Sequence, residues 1–274
     1  MKRIATSICL GLGDNIVARI IFDTVKHEYE EIKISHDKAV QRHFKNGDLA
    51  YDRFLKEIGN LLFTEPPYRF DSGTYPPIHT LNTVSSLPVA ITKPNLIPHL
   101  CRGTPLDLGE EYIVVTTKIR GISKKQFIQQ SFQLWKALNH LSKKYKIVIL
   151  GEREVERSLE YSNLTDMVYE IYSHIVANIP PDRVVDLTVP ALGNTAPSLL
   201  KIQQDGLIMQ QAKAVLAFGL GGNVWLAAVT STQLFSYRDP LDRDHAANLI
   251  MNPRFSSIKP FKDWNAFIQE LERL

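Results

Sequence analysis

Apolar and polar positions alternate along the chain in two periods, and their order predicts a repeated strand–helix succession. Residues 3–10, Arg-Ile-Ala-Thr-Ser-Ile-Cys-Leu, form a buried strand-like run broken by Gly11-Leu12-Gly13-Asp14. Asn15–His27 then carries Ile16, Ile20, Ile21 and Val25 at helical spacing, and Ile32–Ser35 reads as a second strand. Residues 49–63 are amphipathic through Leu49, Phe54, Ile58 and Leu62. Between Thr64 and Pro98 prolines and aromatics dominate, which predicts loops with one strand near Val89–Thr92.

The alternation restarts after Gly103-Thr104-Pro105. Strands are expected at Tyr112–Thr116, Lys146–Leu150, Val184–Asp186, Ala214–Phe218 and Thr232–Phe235. Helices are expected at Lys124–Lys143 and Leu199–Gln211, after Gly222 through Ala228, and at Phe261–Leu274. Strands alternating with helices predict an α/β protein with parallel sheets. The economical division is two α/β halves joined near Pro94–Pro105, a short 1–100 and a larger 101–274, with the final helix packing back toward the first.

With 274 residues, 44% hydrophobic and 22% charged, the chain has the balance of a globular protein. No apolar run reaches the ~20 residues that span a bilayer, so no integral membrane segment is expected. The short apolar stretch after Met1-Lys-Arg lacks a small-residue cleavage site and meets Asp14, which predicts a cytoplasmic protein. Cys9 and Cys101 are expected as buried free thiols. A net charge of +3 is too small to call for nucleic acid and suits a small anionic ligand. The eight histidines show no metal-ligand spacing beside carboxylates or cysteines, so no metal is expected; no bound cofactor is expected either.

Four stretches carry candidate chemistry. Gly11, Gly13, Asp14 and Asn15 lie at a strand-to-helix turn, where glycines admit a ligand and a helix N-terminus attracts anions. Taken alone, Asp14 reads first as the helix N-cap. Ile16 stands where a dinucleotide fingerprint needs its third glycine. Thr116, Thr117, Lys118 and Arg120 put two hydroxyls and two cations at the carboxyl end of a strand, suited to a pyrophosphate or to a solvated basic turn. Gly219-Leu220-Gly221-Gly222-Asn223 before an apolar helix fits an anion cradle or tight helix–sheet packing. After Leu150-Gly151, Glu152 and Glu154 fit ribose hydroxyls or surface charge.

In this order the motifs resemble those of the heptosyltransferase-like glycosyltransferases. The resemblance implies the GT-B architecture, two Rossmann-like domains facing across a cleft, with the acceptor on the first and a nucleotide-sugar donor on the second. It implies Asp14 as general base, Thr116, Thr117 and Lys118 at the donor phosphates, and Glu152 or Glu154 near the nucleoside. The family's late motif, Asp-[Ser/Thr]-Gly-x-x-His-Leu-x-Ala, falls on Leu220–Ala228. Gly222, Leu226 and Ala228 agree, as does the later Asp239-Pro240, while Leu220, Gly221 and Trp225 replace the aspartate, hydroxyl and histidine. The expected activity is metal-free transfer of a sugar from a nucleotide-sugar to a hydroxyl of a glycan or other acceptor. A non-catalytic nucleotide- or glycan-binding protein of the same fold, and an NAD(P)-linked oxidoreductase, are the alternatives.

Overall fold

The structure is a computed structural model and describes residues 2–8, 11–36, 49–78, 95–120, 124–151, 153, 172–189, 198–219, 222–231, 233–237, 258–261 and 263–273. Its strands fall into two sheets whose paired strands are all parallel. The smaller holds β1 (Lys2–Ile8), β2 (Tyr29–His36), β3 (Tyr68–Phe70) and β4 (Pro77–Ile78) in the order β3-β2-β1-β4. The larger holds β5 (Tyr112–Arg120), β6 (Lys146–Leu150), β7 (Val184–Asp186), β8 (Ala214–Gly219), β9 (Leu234–Tyr237) and β10 (Ile258–Phe261) in the order β10-β9-β8-β5-β6-β7. The helices are α1 (Leu12–Val25), α2 (Leu49–Leu62), α3 (Ile97–Leu100), α4 (Lys124–Leu141), α5 (Leu199–Gln211), α6 (Gly222–Thr230) and α7 (Trp264–Glu272).

β5 shows why the larger sheet is covered on both faces. Tyr112 and Val114 belong to one apolar cluster, Ile113 and Val115 to the other, and all four are buried. The first cluster runs without a break from the small sheet (Ile8, Ile32, Ile34) through α1, α2, α5 and α6 to Val148 and Val215 of the large one. The two sheets therefore share one core, and α1 meets α6 along the seam. The second cluster lies on the far face of the large sheet, under α4 and α7.

Trp264, Phe267 and Leu271 of α7 sit in that second cluster with Phe235 and Tyr237. The final helix thus covers α4 and the large sheet, a correction to the expectation that it packs toward the first domain. Its apolar stripe is satisfied where it emerges, beside β10, so it has no reason to travel.

The connection between the sheets is fastened to α5. Gln203 Nε2 donates to the His99 carbonyl at 2.7 Å, Gln204 bonds both the N–H and the carbonyl of Thr104, and Gln211 Oε1 accepts from the Leu106 N–H at 3.2 Å. A Cβ on Gly206 would lie 2.1 Å from the Leu100 carbonyl oxygen, so only glycine admits this approach.

α1 is clasped from the small-sheet side. Arg19 Nε donates to Asp23 Oδ2 at 3.1 Å and its Nη1 to the Leu62 carbonyl, while the Tyr68 hydroxyl donates to Asp23 Oδ1 at 2.5 Å. Burial and the Asp23 carboxylate push the Tyr68 phenol far above its ordinary range.

Several local expectations change. Residues 68–70 form a strand where loops were expected, and β10 is an additional one. The expected strand at 89–92 lies outside the described residues. Cys101 is half-buried and burial pushes its thiol up to about 11; Cys9 lies outside the described residues. No helix among the described residues is long and apolar enough to cross a membrane.

Candidate functional site

Strand order locates the crevices. In each sheet the chain starts in the middle and returns to the other side, so the order reverses between β1 and β4 and between β5 and β8. In open parallel sheets, ligands bind at the carboxyl ends of the strands at such switch points. The Gly11–Asn15 stretch follows β1, and the Thr116–Arg120 stretch belongs to β5.

Gly11 is the N-cap of α1 and gives no side-chain cap bond. Asp14 is therefore the third residue of the helix and not its N-cap, which corrects the capping alternative. The helix begins three residues before its apolar periodicity does, and so takes in Gly13. A Cβ on Gly11 would stand 3.0 Å from Asp14 Oδ2, so the half-buried carboxylate lies back over the glycine.

Gly13 faces the other half of the chain. A Cβ there would meet Trp225 Cδ1 at 2.9 Å and Gly222 Cα at 3.5 Å, and a Cβ on Gly222 would lie 3.6 Å from the Gly13 nitrogen. The first turns of α1 and α6, two hundred residues apart in sequence, are thus in van der Waals contact. Trp225, 3% exposed, fills the space beside them. Two helix N-termini, each with its partial positive charge, meet at one place.

On the large sheet, the Thr-Thr-Lys stretch is a bulge within β5 and not a turn after it. Val115 pairs with Leu216 and Ile119 with Phe218, so Thr116, Thr117 and Lys118 oppose the single residue Ala217. Bulges beside sites re-aim side chains in this way. Thr116 and Thr117 are fully buried. Thr116 Oγ1 has no hydrogen-bond partner among the described residues, which costs about 1–3 kcal/mol unless a ligand or water satisfies it. Thr117 Oγ1 reaches the Leu150 carbonyl only at 3.5 Å.

Gly151 ends β6 with φ +112°, in the left-handed region, and its missing Cβ leaves room. That Cβ would fall 2.6 Å from Thr117 Oγ1 and 3.5 Å from Asn223 Nδ2. The bulge of β5, the end of β6 and the start of α6 therefore converge.

Gly11, Gly13, Asp14, Gly222 and Asn223 thus come together with Thr117. Lys118 and Arg120 lie on β5, and their side chains are outside what is described. Glu152, Glu154 and Gly221 lie outside the described residues. At the neighbouring sheet edge Asp186 accepts from Thr188 and Tyr172 and pairs with Arg153 at 3.0 Å, which together hold its carboxyl below the usual range despite burial. Among the described residues no group of three or more His, Cys, Asp and Glu side chains is placed to hold a metal ion.

Asn15 turns inward. It is fully buried, donates through Nδ2 to the Gly11 carbonyl at 2.7 Å, and places Oδ1 3.1 Å from His36 Nε2. Neither His36 nor the packing role of Trp225 is apparent in the sequence, since the one depends on strand register and the other on contact between the two sheets' helices.

No protein-family model and no curated protein matches the chain. Its fold is similar to that of the Escherichia coli ADP-heptose lipopolysaccharide heptosyltransferase II, with TM-score 0.53, 11% identity, and coverage of 100% of this chain and 98% of that one. The E. coli heptosyltransferase WaaC, solved with ADP-2-deoxy-2-fluoro heptose, aligns at TM-score 0.46 with 9% identity over 99% of each chain. The chain has the GT-B fold of the heptosyltransferases.

Proposed function

We propose that this GT-B chain is a glycosyltransferase that moves a sugar from a nucleotide-sugar donor to an acceptor hydroxyl without a metal ion, acting in the cytoplasm. The observation that carries the reading is the meeting of the α1 and α6 N-termini over the two switch points, with Asp14 on one side and Thr117 and Asn223 on the other. The boundary between acceptor domain and donor domain falls near residue 100.

Asp14 takes the proton from the acceptor hydroxyl, whose oxygen attacks the anomeric carbon. The bond from that carbon to the donor phosphate breaks, and the nucleoside diphosphate departs with the electron pair. Charge grows on the leaving phosphate during this step. The helix N-termini and the Gly222–Asn223 turn meet it, with the Thr116–Thr117 hydroxyls and the Lys118 and Arg120 cations. Glu152 contacts the nucleoside. ADP-heptose, the nucleotide-sugar named with the similar heptosyltransferase II, is the first donor to try.

A second reading has its own support. Leu220, Gly221 and Trp225 stand where the family motif has its aspartate, hydroxyl and histidine, and Trp225 is spent on packing against Gly13, which favours a protein that binds a nucleotide diphosphate without turnover. One experiment separates the two: a panel of nucleotides and nucleotide-sugars is screened by thermal shift, and nucleotide-sugars that stabilise the protein are assayed for nucleoside diphosphate release with a panel of glycan and other hydroxyl acceptors present. A ligand at about 100 times its Kd adds ~2.7 kcal/mol. Stabilisation with release supports transfer, stabilisation without release supports the second reading, and no stabilisation by any nucleotide contradicts both.

A further inference from the structure

The start of α1 is held in an unusual way. Most helices fix their first turn through a side chain that accepts from its N–H groups; Gly11 offers none. Here the hold is on the opposite pole of the turn. The Gly11 carbonyl accepts two hydrogen bonds from one residue, from the Asn15 backbone N–H at 3.1 Å and from Asn15 Nδ2 at 2.7 Å.

Because Nδ2 is committed to a carbonyl, Asn15 Oδ1 is the atom facing His36, and His36 Nε2 must carry the hydrogen that lies between them at 3.1 Å. His36 is the last residue of β2 and pairs with Ile8, the last of β1. The residue is 7% exposed, and its ring rests on Phe70 with centroids 4.9 Å apart. A continuous chain therefore runs from the sheet edge through His36 and Asn15 to the Gly11 carbonyl. The Asp14 carboxylate lies over that same Gly11. Turning Gly11 would move the carboxylate with it.

We propose that Asn15 and His36 are positioning residues that fix the Gly11–Asp14 turn to the end of β2 and so set where the Asp14 carboxylate stands at the α1–α6 seam. The inference rests on the reading of Asp14 as the base. Groups that orient a reacting group from behind it are worth roughly ten- to a hundredfold in activity, and a displacement near 1 Å reaches the upper end.

The test compares His36→Gln, which keeps a donor near the position of Nε2, with His36→Met, which keeps volume and removes the donor. In ¹³C-aspartate-labelled protein the Asp14 carboxyl resonance is identified by its loss in Asp14→Asn. His36→Met should displace this resonance, and His36→Gln should leave it in place. Asn15→Ala, which removes the side-chain link at the other end, should give a displacement like that of His36→Met. With ADP-heptose as the probe donor, His36→Met should lower kcat about ten- to a hundredfold with KM unchanged, and His36→Gln should restore it. A folded His36→Met or Asn15→Ala with an unmoved Asp14 resonance overturns the proposal, as does a His36→Gln that behaves like the Met variant. If the resonance moves as expected while ADP-heptose and the other nucleotide-sugars give no transfer even with the unaltered protein, the positioning stands and the glycosyltransferase reading falls.

Discussion

The Trp225–Gly13 contact joins the two sheets at the candidate site, and a double-mutant cycle measures it. Trp225 is 3% exposed. A buried tryptophan removes about 150–250 Å² from water, worth about 4–6 kcal/mol at 25 cal/mol/Å². Residual compactness of the unfolded chain trims this to about 3–5 kcal/mol, the range of measured Trp→Ala losses. Trp225→Ala should therefore lower stability by that amount, a large share of the 5–15 kcal/mol typical of native proteins.

Gly13→Ala sets two effects against each other. Alanine gains up to about 1 kcal/mol over glycine as a helix residue. Its Cβ, however, would stand 2.9 Å from Trp225 Cδ1, and Gly222 Cα blocks the way at 3.5 Å. Overpacking of this kind costs about 1–3 kcal/mol. Taking about 2 for the clash and 1 for the helix gain, Gly13→Ala should destabilise by about 1 kcal/mol in the unaltered protein. Once Trp225 is alanine the clash is gone, and the same substitution should stabilise by about 1 kcal/mol. The coupling is then about 2 kcal/mol, within the range for touching residues. Urea unfolding followed by far-ultraviolet circular dichroism gives each corner of the cycle. An equal effect of Gly13→Ala in both backgrounds would refute the seam contact, and with it the account of how the two glycine turns meet.

Two further outcomes follow from single residues. Burial pulls the His36 pKa from 6.5 down to about 4, and its ring meets uncharged Asn15 and Phe70. The unfolded chain takes up that proton first, so stability is full above pH 6.5 and falls by about 3 kcal/mol as the pH drops to 4. His36→Gln should remove this part of the acid sensitivity in urea titrations at pH 7 and pH 4.5, and an unchanged difference would show that His36 is not buried neutral. Lys118→Ala should weaken ADP binding about ten- to a hundredfold and leave adenosine binding alone; calorimetric titration showing equal losses for both would remove Lys118 from the phosphate site.

Much of the large sheet is legible in the chain because strands such as Lys146–Leu150 and Ala214–Gly219 are apolar runs that stop at glycine. Lys146–Leu150 and Leu199–Gln211 have the expected bounds. The three-residue strand Tyr68–Phe70 is hidden by the prolines before it, and only its pairing with Ile32–Ile34 makes it a strand. At the site, residue types were readable and their geometry was not. The Thr-Thr-Lys stretch looks like a turn because a bulge depends on the partner strand, Ala217 and its neighbours, which lie about a hundred residues away. In sequence Asn15 belongs to the ligand turn, yet its side chain points to His36, whose position is set by the β1–β2 register. Trp225 registers in sequence only as a departure from a motif, and its place against Gly13 appears only when the two helices meet.

The most direct measurement is single-turnover transfer from a nucleotide-sugar by Asp14→Asn, made beside its melting curve and its donor affinity. Asparagine keeps the shape of the side chain and cannot accept the acceptor's proton. Loss of a general base costs roughly 10²–10⁴-fold. The account predicts an unchanged fold, an unchanged donor affinity and transfer at least about a hundredfold slower. Transfer by Asp14→Asn at the rate of the unaltered protein would contradict it.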